Sequence, residues 1–308
     1  MFLVCGEALF DVFMTERRGG TIGFEARLGG SPFNVAIGLA RLGAPVTFFG
    51  GIAADVLGDE IRMALAREGV QLGIKTPKEY ARTTLSLVTI DENGVPNYSF
   101  YGDGGADRAV TAADISYDLD GISAIHVGSY SLVCQPVAKT LKELARLMAG
   151  KCLVSLDPNV RLNVEPDLAI WRNRIDEWLD IADLVKLSIE DMELLYPHAD
   201  HELMIKSWLD RTPQLVVLTR GGEGATAFRK HDKISVSALK IQVVDTVGAG
   251  DSFQAALLSK FGCYSAAEIA ALDTEHVRSA VGFAITAAGI TCSRMGADLP
   301  RLSEVNKP

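Results

Sequence analysis

The sequence predicts an α/β fold, a three-layer α/β/α core with a mostly parallel sheet and a small β-strand lid. Two observations carry that expectation. Short apolar runs rich in Val, Ile and Leu recur along the chain with amphipathic stretches between them, the pattern of strands buried on both faces and covered by helices. One segment departs from it, two strand-like runs joined by Asp91-Glu92-Asn93-Gly94, whose Asn-Gly is a hairpin signal.

In chain order, the buried-strand runs fall at residues 2–5, 46–50, 124–127, 152–156, 184–187 and 215–218. Helical periodicity falls at residues 32–42, 59–68, 136–148, 168–179 and 249–260. The hairpin runs are 83–90 and 95–101. Residues 11–28, with Gly19, Gly20 and Gly23 and with Arg17, Arg18 and Arg27, lack a helical period and are expected to pair with the hairpin. The division that follows is a core of residues 1–10, 29–82 and 108–308, and a β lid of residues 11–28 and 83–107.

A chain of 308 residues that is 48% hydrophobic and 22% charged fits one large globular core. The net charge of −9 argues against a nucleic-acid surface, which needs clustered cations. Five scattered cysteines without a CxxC pair fit neither a disulfide framework nor a zinc site, and they are expected as buried small side chains. The apolar start carries no secretory pattern, so a cytoplasmic protein is expected. The longest uncharged stretch, 279–293, is too short and polar to span a membrane and is expected as a buried helix running into a loop.

The densest chemical signal is Asp245-Thr246-Val247-Gly248-Ala249-Gly250-Asp251, a glycine-rich turn entering an apolar helix. Small residues leave N–H groups bare at a helix start, where unpaired donors and the dipole favour a phosphate. Asp251 would stand beside that cradle and could accept a proton from an attacking hydroxyl. A plain tight turn with an acidic first-turn residue explains the same residues equally well. A second glycine pair opens another helix in Gly29-Gly30-Ser31-Pro32-Phe33-Asn34. Asp157-Pro158-Asn159-Val160-Arg161 ends a buried strand, at the edge where ligands collect in open α/β sheets. A Walker loop, a protein-kinase motif pair and a dinucleotide fingerprint after the first strand are all missing.

The segment 245–257 resembles, at each position of the pattern, the C-terminal signature of the ribokinase-like (PfkB) carbohydrate kinases, and 29–36 resembles their N-terminal signature. The resemblance runs from Gly6 to Gly296. It implies a ribokinase-like core and an ATP-dependent sugar kinase with Asp251 as catalytic base and Gly248, Ala249 and Gly250 as its anion hole. It further implies that Asp11, Gly29, Gly30, Asn34, Tyr101 and Arg161 contact the sugar. ATP is implied at Lys186, Ser188, Thr219, Arg220, Gly221, Gly224 and Thr286. Mg2+ is implied with ATP, with Asp191 as its candidate ligand, and K+ beside Asp245. Ser188-Ile189-Glu190-Asp191 departs from the family's N-x-x-E, and Thr286 replaces a frequent Asn.

Val127-Gly128-Ser129-Tyr130-Ser131 and Ala106-Asp107 look most like fructokinases, which implies transfer to O6 of fructose. Ribokinase, nucleoside kinase and 2-keto-3-deoxygluconate kinase are the alternatives within the family. A catalytically inactive sugar-binding regulator is the reading from another class. The partners implied are a sugar and ATP, without nucleic acid or membrane, and with room for a homodimer through the lid.

Overall fold

The computed structural model describes residues 1–90, 96–115 and 119–307. Its strands are β1 (Phe2–Cys5), β2 (Leu9–Arg18), β3 (Thr21–Gly29), β4 (Val46–Phe49), β5 (Gln71–Leu72), β6 (Leu85–Ile90), β7 (Pro96–Tyr101), β8 (Ala124–Gly128), β9 (Leu153–Asp157), β10 (Leu184–Ser188), β11 (Leu215–Thr219), β12 (Ala225–Phe228) and β13 (Lys233–Val236). The helices are α1 (Ser31–Arg41), α2 (Val56–Arg67), α3 (Val137–Met148), α4 (Leu168–Trp178), α5 (Ile189–Leu195), α6 (His201–Leu209), α7 (Ala249–Phe261), α8 (Ala266–Ala271), α9 (Thr274–Cys292) and α10 (Leu302–Val305). A nine-stranded sheet runs in the order β13-β12-β11-β10-β9-β8-β1-β4-β5, and a four-stranded sheet in the order β3-β2-β6-β7.

The large sheet is parallel from β5 to β11, and only β12 and β13 are antiparallel. Its strands bury both faces, which is why they read as continuous apolar runs. In β1, Phe2 and Val4 pack on the side of α1, α7 and α9, while Leu3 and Cys5 pack on the side of α3, α4 and α6. Trp171 and Trp178, both 0% exposed, fasten α4 to the second face.

The expected strands and helices are present with ends shifted by a few residues. Helix α2 starts before the expected 59, because Asp55 accepts a hydrogen bond from the Gly58 N–H at 2.8 Å and so sets its N-terminus. The uncharged stretch 279–293 is the second half of α9 and its exit. Burial of the cysteines holds for Cys5 alone: Cys134, Cys152 and Cys292 are half-buried and Cys263 is exposed. No helix among the described residues is long and apolar enough to cross a membrane.

Residues 11–28, expected to pair with the hairpin, form most of two long strands joined at Gly19-Gly20. Strand β2 pairs antiparallel with β3 and parallel with β6, which ties this stretch to the hairpin strands β6 and β7. The expected turn at 91–94 lies outside the described residues.

Candidate active site

Two helices begin at the same place. Helix α1 starts after Gly30, whose φ of 103° favours glycine and where a Cβ would stand 2.7 Å from the Glu7 carbonyl oxygen. Helix α7 starts after Gly248, at φ 77°, where a Cβ would meet that of Ala297 at 2.6 Å. Asp251, in the first turn of α7, is buried and is held from α1 on both oxygens. Ser31 Oγ donates to its Oδ1 at 2.6 Å and Asn34 Nδ2 to its Oδ2 at 2.7 Å. Burial raises the pKa of Asp251, while those two donors, Arg161 and Lys186 oppose the rise.

This carboxylate faces a cavity of about 550 Å³ between the two sheets. Asp11, Gly30, Asn34, Arg161, Gly248 and Gly250 line it together with Asp251. Asp11 comes from β2, next to Ser86 of β6 in the ladder, and its pKa is raised by burial against the pull of the Ser86 hydroxyl and Arg161. Gly29 lies behind it, since a Cβ there would meet Asp11 Oδ2 at 2.5 Å. Ala249 is part of the first turn of α7 and does not line the cavity.

Tyr101 is placed elsewhere than expected. It is 62% exposed, and Phe100 lines the cavity in its stead. The ladder gives the reason: Phe100 is opposite Ser86, on the inner face with Asp11, whereas Tyr101 is opposite Leu85 on the outer face.

Beneath α7 lies a buried ion pair. Lys186 Nζ, from β10, contacts Asp157 Oδ2, from β9, at 2.8 Å. Burial works against the charge of Lys186, but Asp157 together with Asp191 and Asp251 outweighs it and the pKa is raised. A Cβ on Gly250 would meet nothing nearer than Lys186 Nζ, at 3.3 Å, so the helix start is open on the side of this ammonium. Asp191, in the first turn of α5, is pushed up to about 6 by burial and by Asp157, against Lys186 and Arg161. Its Oδ1 accepts the Val160 N–H at 3.1 Å, and the Ser188 hydroxyl caps α5 by accepting the Asp191 N–H at 3.0 Å.

The residues expected at ATP, other than Lys186, sit apart from this cavity. Thr219 ends β11, Arg220 follows it, and Gly221 and Gly224 have φ of 46° and 106°. A Cβ on Gly224 would meet the Val236 carbonyl oxygen at 2.1 Å, which joins that turn to residues 236–238. Beyond them Leu239 and Ile241 run past Gly289 of α9, one turn from Thr286, whose hydroxyl donates to the Gly282 carbonyl at 3.0 Å. Leu239, Ile241, Val243 and Val244 are all more than a third exposed, an apolar flank leading to the α7 start. Asp245 accepts the Val247 N–H at 3.1 Å and the Gly296 N–H at 2.8 Å, and these bonds lower its pKa against partial burial.

Sequence reasoning passed over several residues that the cavity and its floor contain. Ser31 stood in the quoted motif without a role, Asp157 was read only as part of the Arg161 segment, and Phe13, Ser86, Phe100 and Glu7 carried no sequence signal of their own.

For a metal, the hard oxygens of Asp157 and Asp191 suit Mg2+, and Oδ1 of buried Asp157 has no hydrogen-bond partner among the described residues. Among those residues no group of three or more His, Cys, Asp or Glu could hold a metal by itself. That donor set fits an ion held chiefly by phosphate oxygens, as Mg2+ commonly is.

A doubly wound sheet with a positioned carboxylate at a bare helix N-terminus has the design of a small-molecule phosphotransferase. The chain belongs to the pfkB family of carbohydrate kinases, whose sequence profile matches residues 2–304. It is 36% identical over 284 residues to a fructokinase of Rhizobium leguminosarum bv. trifolii, covering 91% of this chain and 86% of that one. Its fold superposes on the crystal structure of a Xylella fastidiosa fructokinase with bound ATP, with a TM-score of 0.87, 28% identity and coverage of 99% and 96%. The fructokinase of Vibrio cholerae O395 in its fructose-, ADP- and calcium-bound form matches with a TM-score of 0.83, 26% identity and coverage of 99% and 97%.

Proposed function

We propose that this protein is an ATP-dependent fructokinase that transfers the γ-phosphoryl group to O6 of fructose, with Asp251 as general base. The observation that carries the reading is the double tether of Asp251 by Ser31 and Asn34, inside a cavity that also contains Asp11. A carboxylate with both oxygens oriented and its pKa raised can take the hydroxyl proton as the bond to phosphorus forms. The N–H groups of Gly248 and Gly250 face the developing negative charge, with Lys186 and Arg161 as neighbouring cations, while the Ala249 N–H is bonded to the Thr246 carbonyl at 3.2 Å. Asp11 and Asn34 orient the sugar, and the four-stranded sheet acts as a lid that excludes water. Mg2+ bound with ATP would offset charge on the phosphates, with Asp191 and Asp157 nearest to hold it, and K+ beside Asp245 would balance that carboxylate.

The nucleotide is placed along the 219–224 turn and α9, where exposed Leu239, Ile241 and Val243 would be covered by its base. Exposed Phe24 and Tyr101 on the lid support pairing of two copies through it. The test is an ATP-consumption assay with Mg2+ over fructose, ribose, nucleosides and 2-keto-3-deoxygluconate. Fructose is expected to give the highest kcat/KM, and turnover of another acceptor above fructose would overturn the assignment.

A further inference from the structure

Glu7 follows β1 at the carboxyl edge of the large sheet. It is 1% exposed, yet it lines the acceptor cavity. Its backbone is confined by the close approach of Gly30, and its Oε2 accepts a hydrogen bond from the Ser131 hydroxyl. A second buried carboxyl group, Asp107, stands nearby, behind Tyr130 and outside the cavity lining. It accepts hydrogen bonds from Thr84 and, at 2.9 Å, from Tyr130 Oη, and it faces Arg108. Arg108 in turn lies over the rings of Phe100 and Tyr130 at 5.1 and 5.8 Å.

The two acids therefore differ in compensation. Asp107 has a guanidinium to offset its charge. The groups that act most on Glu7 are its burial, the Ser131 and Ser129 hydroxyls, its own N–H and the like charge of Asp107, with no cation among them. The remaining elements around the cavity do not reverse this. Strand β2 brings Asp11, another acid, and α1 brings uncharged Ser31 and Asn34. Cys134 has a thiol pushed up to about 11 by burial and is neutral. Arg161 acts on Asp11, Asp191 and Asp251. Glu7 consequently titrates at about 7, between its ionised and neutral forms at ordinary pH.

We propose that Glu7 is a sugar-binding residue of this site, which takes up a proton when a neutral sugar fills the cavity and donates the resulting O–H to a sugar hydroxyl oxygen. The proposal deepens the fructokinase reading and rests on it. Its physical basis is burial: Glu7 is already almost wholly enclosed with no cation beside it, and a neutral sugar filling the cavity closes its remaining open side, which favours the neutral acid. Proton balance is simple, since one proton passes from bulk solvent to Glu7 and no covalent bond changes. The sign follows from linkage. A group whose pKa rises on binding makes affinity greatest below its free-protein pKa, here about 7, and affinity falls as pH rises through and above that value. The fall is at most ~10-fold per pH unit for one proton.

The test is calorimetric titration of the full-length protein with fructose, without ATP, from pH 6 to 9 in buffers of different ionisation enthalpy. Uptake of up to one proton per sugar near pH 8, with Kd rising ~3- to 5-fold between pH 7 and 8, is expected of the wild type. Glu7→Gln has a donor that does not titrate, and it should abolish both the uptake and this pH dependence. Binding without proton uptake, or unchanged uptake in Glu7→Gln, overturns the role of Glu7 and leaves the fructokinase reading intact. No fructose binding at any pH overturns both. Should the variant fail to fold, Asp11→Asn serves instead: proton uptake that persists without the Asp11 carboxylate supports Glu7, and uptake lost with it overturns the proposal.

Discussion

The proposed acceptor half and the proposed nucleotide half of this molecule are built differently. Around the acceptor cavity, polar side chains are buried and tethered to one another across long sequence distances: Ser31 and Asn34 to Asp251, Ser131 to Glu7, Tyr130 to Asp107. Along the nucleotide side, the surface consists of glycine turns and exposed aliphatic side chains. Preorganised polar groups impose orientation and cost little reorganisation during reaction, whereas apolar contact supplies affinity with little directional demand. Substitutions in the first half should therefore cost catalysis and selectivity, and those in the second mainly nucleotide affinity.

Asp251→Asn should show the largest effect. Loss of a positioned base is worth ~10²–10⁴ in kcat. The amide can still meet Ser31 and Asn34, so fructose and ATP should bind and the circular dichroism spectrum should be unchanged. A near-wild-type kcat would remove Asp251 from the chemistry.

The buried pair beneath α7 marks the boundary between the halves. Lys186→Met leaves Asp157 buried without its cation, a loss of ~3–5 kcal/mol in denaturant unfolding. Pairing it with Asp157→Leu should restore most of the stability and none of the turnover, because Lys186 is assigned to the transferred phosphoryl group. Recovery of activity in the double variant would make the pair purely structural.

Asp11→Ala comes next. A hydrogen bond from a charged group contributes ~1.5–3 kcal/mol, so KM for fructose should rise roughly 10- to 100-fold while KM for ATP stays within about twofold. An equal rise in both would erase the distinction between the two halves.

How much of this was legible in the sequence depended on how far apart the cooperating residues lie. Strands β1, β4 and β8 to β11 of the large sheet and helices α1 and α7 were legible because apolar runs and glycine-initiated helices are local patterns, whereas β5, β12 and β13 were not. Strands β2 and β3 were legible only as a non-helical stretch expected to pair with the hairpin, as β2 does with β6; their bounds were not, since half-exposed strands alternate weakly and their charges hide the period. Phe100 rather than Tyr101 enters the cavity because of pairing with Ser86, and a shift of one residue exchanges the faces of a strand. The Lys186–Asp157 pair joins two strands that are adjacent only in the folded sheet, so neither residue announced the other. Glu7 follows the apolar run of β1, but its character comes from burial beside Asp107, which composition does not encode.

The smallest effect should come from the nucleotide side, and it is the sharper test of the contrast. Val243 is 59% exposed in the free protein, on the flank that leads from α9 to the start of α7. If the nucleotide base covers that flank, Val243 becomes buried on binding, and removing its two methyl groups forfeits part of ~0.8 kcal/mol for each. Val243→Ala should then raise KM for ATP roughly 3- to 10-fold, with kcat within about twofold of wild type. Neither the tether of Asp251 nor the acceptor cavity contains this side chain, so KM for fructose should not move. Steady-state kinetics with each substrate varied in turn separates the cases. A fall in kcat as large as that in Asp251→Asn would mean that the flank positions the reacting phosphoryl group as well as the base, and the two halves would then be one cooperative site.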